Sequence, residues 1–235
     1  IGVAVETDTA LPMVFTVSTP PVVPTPTAES WRFVLTNKAG VPFGELKALA
    51  RKWEVGVSRM AIATCRVHES DPLFDDVDAG TTRLKVYDSP NTLRFYGVVL
   101  QVHEENEGDD VHLLLTAVDP YWNLTGHYGD VLDNGVGVKY VAQPIETLIQ
   151  RYVGSADGDK CSAGLSMGTS GSFASVDVTY NYKRTSDVIA ELGAMLNSFE
   201  WRIRYNDNLN SAPAMLFDLK AENGIGTDKT SSIFL

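Results

Sequence analysis

The 235-residue, 25.6 kDa chain carries 30 acidic and 19 basic residues, for a net charge of −11 and a pI near 4.7. That balance argues against a protein that grips nucleic acid, because counterion release needs clustered Lys and Arg, although an acidic surface still lets DNA slide past. The 44% hydrophobic and 21% charged fractions are those of an ordinary globular chain. No run reaches the roughly 18 apolar residues of a membrane span, so stable membrane insertion is not expected. Cys65 and Cys161 lie far apart, match neither a CxxC pair nor a disulfide framework, and read as free, buried thiols.

The chain starts at Ile1 with no signal-type segment, and KTSSIFL at its far end reads as a strand just beginning, so both ends look like cuts in a longer polypeptide. Residues 16–30 are rich in proline, which gives no amide to a sheet ladder. They read as an extended arm, either a flexible leader or a strap across a neighbouring subunit. From Trp31 the pattern changes: Trp31, Phe33 and Leu35 alternate with polar residues, TNKAG supplies a turn, and Trp53, Val55 and Val57 share one face of the next strand. AIATCRVH alternates through Ile62, Thr64 and Val67 with one irregular step, and DPLFDDVDAG then breaks the sheet. Leu84 and Val86, then Phe95 to Val102, then Val111 to Val118 form three more strands separated by DSPN and EENEGDD. Gly97 inside its strand marks a bulge or a close backbone contact.

Beyond Tyr128 the period becomes helical. QPIETLIQRYVG places Pro144 at a first helical position, Ile145, Leu148, Ile149 and Tyr152 on one face, and Gly154 at the end. RTSDVIAELGAMLNSF predicts a second helix capped by Thr185 or Ser186, with Val188, Leu192, Met195, Leu196 and Phe199 at helical spacing. EWRIRY and AMLFDLKA return to strand alternation around the turn NDNLNSAP. The expected class is α+β, mainly β: a barrel or sandwich, a helical insertion, then more strands.

Chemistry is harder to find. His68, His103, His112 and His127 form neither an HExxH motif nor an i, i+4 pair, and His112 inside an apolar strand reads as a framework residue. Asp71, Asp75, Asp76 and Asp78 invite a calcium site, but the spacing fails the EF-hand pattern and solvated turns are the plainer reading. GLSMG matches the G-x-S-x-G nucleophile elbow at Ser166, yet no strand is predicted before it, no helix after it, and every histidine precedes it. Ser166 therefore reads as a chance match. No phosphate-binding glycine loop is present, and no acidic pair is singled out for glycoside hydrolysis. No catalytic, metal or cofactor-binding residue is assigned, and no cofactor is expected.

The order of the pieces carries more than any one of them. ATCRVHESDPLFDDVDAG, TTRLKVYD, LRFYGVVLQVHEE and VHLLLTAVDPYWNLTGHY follow one another as an Asp-Pro loop, G-x-x-L-x-V-Y, F-x-G-x-V and a strand closing on A-x-D. In that order they resemble the tail hub, or tail-associated minor tail protein, of long-tailed bacteriophages, over about residues 31–128. PIETLIQRYV and SDVIAELGAMLNSFEWRIRY resemble the helices that such hubs insert between two tube-type barrels. The resemblance implies an arm over 1–30, a first tube-type β-barrel over 31–128, a helix-containing insertion over 129–205 and the start of a second barrel over 206–235. It also implies a structural, non-enzymatic role at the tail tip of a virion. There a homotrimer would continue the tail tube, with the distal tail protein and the tape measure protein as neighbours and DNA passing through the lumen. Two other readings stay open: a sixfold distal tail protein, and a tail-associated cell-wall hydrolase using Ser166 or an acidic pair. Tyr121 and Trp122 give slight support to a carbohydrate-binding module, although such aromatics more often pack in cores.

Overall fold

Period-two alternation from Trp31 to Val118 yields strands β1 (Arg32–Thr36), β2 (Pro42–Glu45), β3 (Ala50–Val55), β4 (Ile62–His68), β5 (Arg83–Tyr87), β6 (Leu93–Glu107) and β7 (Asp110–Val118). The computed structural model describes residues 31–88, 91–126, 128–129, 137–153, 165–195 and 199–220, and the backbone of 229–234. Cys161, His127, Gly154, Leu196 and the arm over 1–30 lie outside them. The seven strands and the late strand Lys229–Phe234 make one antiparallel sheet, in which that late strand pairs with β3 and the order continues β3-β4-β7-β6-β5-β1-β2.

The sheet curls on its apolar face. Trp31 and Trp53, near opposite ends of the ladder, meet with ring centroids 4.9 Å apart, and Arg51 Nη1 donates to the Trp31 carbonyl at 2.5 Å. Phe33, Leu35, Cys65, Leu84, Val86, Phe95 and Leu115 fill the enclosed core. Fully burying one such large side chain contributes roughly 1.5–3 kcal/mol. The inward face of β4 is Ala63, Cys65 and Val67 instead of Ile62 and Thr64, because the tight interior admits small residues and pushes Ile62 outward. The ladder does not close among the described residues. The barrel expected over 31–128 is thus a curled sheet with open edges, within the mainly-β α+β class expected. Burial also pushes the Cys65 thiol up to about 12, which makes it an inert core residue.

After β7 the chain turns into α1 (Tyr121–Gly126), a helix that hydrophobic periodicity did not predict. The signal for it is the pair Asp119-Pro120: the Asp119 Oδ1 accepts from the Tyr121 amide at 3.0 Å, as a capping carboxylate does. Then follow β8 (Tyr128–Gly129), β9 (Val138–Pro144), α2 (Ile145–Val153), β10 (Leu165–Met167), β11 (Ser175–Tyr180), β12 (Lys183–Arg184), α3 (Thr185–Ala194), β13 (Glu200–Asn206) and β14 (Ala214–Lys220). The late strand is β15 (Lys229–Phe234).

Helix α2 buries the predicted face, but Pro144 ends β9 and the helix begins one residue later. Helix α3 begins at Thr185 after Arg184, with no side-chain cap, so neither Thr185 nor Ser186 plays the expected capping part. It stops at Ala194; Phe199 lies beyond it and folds back, because Gly193 leaves its ring room at 3.5 Å from where a β-carbon would stand. These elements enclose a second core of Leu148, Ile149, Tyr152, Val188 and Leu192, against a stack of Tyr121, Trp201 and Phe217 with centroid spacings of 4.2 and 5.2 Å.

Strands β13 and β14 form a hairpin that straddles position 206, and Phe217 and Leu219 pack in this second core. The stretch read as opening a second barrel therefore pairs with β13 and β10, and β15 returns to the first sheet.

Candidate assembly interface

Among the described residues, none of the candidates from the sequence is brought together with another into a reactive cluster. Ser166 sits exposed in the middle of β10, paired in parallel with Leu216 of β14, with no sharp strand-to-helix turn around it. Asp71 is buried and its carboxylate accepts from the amides of Lys47 at 2.7 Å and Leu73 at 2.9 Å. It thus pins the loop between β2 and β3, whereas Asp75, Asp76 and Asp78 face solvent. No group of three His, Cys, Asp or Glu side chains positioned to hold a metal ion occurs among the described residues. His68 and His112 are cross-strand neighbours on β4 and β7, with ring centroids 5.1 Å apart. Arg66 donates to His112 Nδ1 at 3.2 Å, and His68 Nδ1 accepts from the Ser70 amide at 3.0 Å. These contacts tie β4 to β7. His103 stands exposed on β6.

What the geometry does offer is edges. The outer side of β2 pairs with no strand among the described residues, and it carries Phe43, with Val41 just before it and Leu49 in the loop that follows; all three are about two-fifths exposed. A free edge with apolar side chains is a template for another strand. Pro42 and the ion pair between Arg32 and Glu45 (2.9 Å) limit that exposure without removing it. At the opposite margin of the sheet, β15 has its second side unpaired among the described residues. Beyond the sheet body, the β6–β7 hairpin ends in an acidic tip with Glu104, Glu107, Asp109 and Asp110 exposed.

Two buried charged groups fix the frame behind these edges, and periodicity does not reveal either. Lys85 points to the outer face of β5, where alternation predicts solvent, yet it is 0% exposed because the β13–β14 loop covers it. Its Nζ donates to the carbonyls of Asn208 at 2.7 Å and Ser211 at 3.1 Å and to Asp207 Oδ1 at 3.3 Å. A buried ammonium needs that many oxygens to offset its desolvation. Beside it, Val34, Tyr87, Leu93 and Tyr96 pack with Tyr205 and Met215, and Gly40 (φ +79°) lies so close to Ala212 that a β-carbon would stand 2.0 Å from its amide nitrogen. The two cores are thereby held as neighbours.

The second group is Asp119, the Asp of the A-x-D strand ending. Its Oδ2 accepts from the Ala61 amide at 3.0 Å, and burial pushes its carboxyl up to about 7 against the pull of the two amide bonds. In the second core, burial alone would raise Asp218, but the hydrogen bonds from Arg204 and the Thr169 amide, with Arg202 nearby, hold it below the usual carboxylate range. Gly97 is explained by contact: a β-carbon there would stand 2.2 Å from the Val118 carbonyl oxygen.

No protein-family model matches the sequence, and no curated protein matches it either. Solved structures do match. One is the prophage MuSo2 43 kDa tail protein from Shewanella oneidensis, with a TM-score of 0.52 at 10% identity, covering 80% of this chain and 55% of that one. The fold is that of phage-type tail proteins. A second structure with this tail-protein fold is the E. coli c3393 protein, described as a component of the type VI secretion system with structural similarity to the T4 bacteriophage tail proteins gp27 and gp5. It matches with a TM-score of 0.51 at 10% identity over 78% of this chain and 48% of that one. The chain thus spans about half the length of these tail-fold structures.

Proposed function

We propose that the chain is a structural subunit of a phage tail tip, a hub protein that forms a homotrimeric ring continuing the tail tube, with no enzymatic role. The observation that carries the proposal is a curled antiparallel sheet with an open, apolar β2 edge, clamped to a helix-bearing unit, in a tail-protein fold. Open edges are an aggregation liability in a monomer and a means of joining in a ring. The proposal includes a second tube-type barrel in the complete subunit, so that three chains give a pseudo-sixfold ring. It takes the distal tail protein and tape measure protein as neighbours, the virion tail tip as the location, and DNA ejection through an acidic lumen as the use of the ring.

The test is to disrupt the β2 edge. Phe43→Lys adds a charge at an exposed position and leaves both cores untouched. Sedimentation of the variant should show loss of the oligomer with an unchanged unfolding transition; an oligomer as stable as that of the wild type would refute the edge as the joining surface. Deleting residues 16–30 tests the arm in the same assay: weakened association makes it a strap between subunits, and an unaltered oligomer makes it a leader.

A further inference from the structure

One group of exposed side chains belongs to neither core nor to the sheet edges. Tyr128 on β8 is 43% exposed and Tyr182, in the turn before β12, is 62% exposed, yet their rings stack at 4.9 Å between centroids with 26° between planes. Arg184 on β12 is the cross-strand partner of Tyr128; its guanidinium lies over the Tyr128 ring at 5.8 Å and its Nε donates to the tyrosine hydroxyl at 3.1 Å. Tyr182 has φ +49°, in the left-handed region that bulky side chains rarely adopt. Strain of this kind is usually retained where the held side chain has a use. Here the strain holds an aromatic ring in solvent, where it gains little by burial.

We propose that the Tyr128–Tyr182 stack, flanked by Arg184, is a saccharide-binding platform. One face of the Tyr182 ring is taken by Tyr128, and its high exposure leaves the other face to a ligand. A pyranose ring presents a face of C–H groups that packs on an aromatic ring, and a rim of hydroxyls that needs hydrogen bonds. The Arg184 guanidinium has five N–H donors, of which the Tyr128 hydroxyl engages one. The size also fits. Two tyrosine rings and one guanidinium make a contact surface far smaller than the about 800 Å² per partner of a stable protein interface. It suits one or two sugar rings. This proposal stands apart from the ring assembly described above and does not depend on it.

The test titrates the 235-residue chain with neutral trisaccharides built from glucose, N-acetylglucosamine, galactose or rhamnose, read by saturation-transfer NMR and calorimetry. Tyr182→Asn removes the ring and keeps a residue that tolerates a positive φ; Arg184→Gln removes the charged flank. The expected result is binding of at least one trisaccharide at millimolar concentration or below, weakened at least about tenfold by Tyr182→Asn and measurably by Arg184→Gln. Absence of binding across the set, or equal binding by the wild type and Tyr182→Asn, overturns the proposal. So does a change of oligomeric state in Tyr182→Asn without sugar binding by the wild type, which would make the stack a protein contact.

Discussion

Gly97→Ala puts a methyl group where β6 has none to spare. The new β-carbon would stand 2.2 Å from the Val118 carbonyl oxygen, 2.7 Å from its carbon and 2.6 Å from the Phe95 ring, whereas ordinary contact begins at 3.4 Å. The nearest obstacle is backbone. Val118 is paired with both Val98 of β6 and Ile62 of β4, so opening the gap by about 1.2 Å disturbs two ladders at once. Overpacking that side chains can absorb costs about 1–3 kcal/mol, and a backbone obstacle places this substitution at the upper end, about 3 kcal/mol. For a chain of this size that lowers the melting temperature by roughly 6–12 °C. Gly126→Ala is the matched control, since no heavy atom lies within 4 Å of its β-carbon position and its φ is not positive; its change should stay within about 0.5 kcal/mol. Urea unfolding followed by circular dichroism and tryptophan fluorescence measures both. Equal stability of the two variants would refute the close-contact explanation of Gly97.

Lys85→Met keeps the buried stem and deletes the charge, leaving the Asn208 and Ser211 carbonyls without the ammonium and Asp207 with the Tyr87 hydroxyl; we expect about 3 kcal/mol of lost stability, and less than 1 kcal/mol would mean that the clamp is dispensable. Asp119 makes stability depend on pH in an unusual sense. Its carboxyl titrates near 4 when unfolded and at about 7 when folded, so its contribution is fully present below pH 4 and is lost as pH rises to 7, on the order of 4 kcal/mol in all. Asp119→Asn lacks that titration, so the wild type should lose stability relative to the variant between pH 4 and 7; parallel pH profiles would contradict the burial account. Cys65 should resist thiol reagents in the native protein and react only on unfolding, as a rapid native reaction would disprove.

Local periodicity made the two ladders and the face of α2 legible, because each strand and that helix bury one side. It failed where both sides are buried: Lys85 reads as a surface residue until the β13–β14 loop is seen to lie on it. Helix α1 is too short for a period and is announced only by Asp119-Pro120. The pairing of β15 with β3 and of β12 with β8 joins segments far apart in sequence, which local patterning cannot register. The open edge proposed for assembly was legible only as an order of motifs, because a free edge is a property of the whole sheet, and Tyr128 and Tyr182 meet only through the β8–β12 ribbon.

The hub proposal rests most directly on the symmetry and mass of the assembled particle, measured by electron microscopy of purified rings or of tails. The account predicts a threefold ring coaxial with a tail tube. A sixfold ring would contradict it in favour of a distal tail protein, and a monomer would remove the structural role altogether.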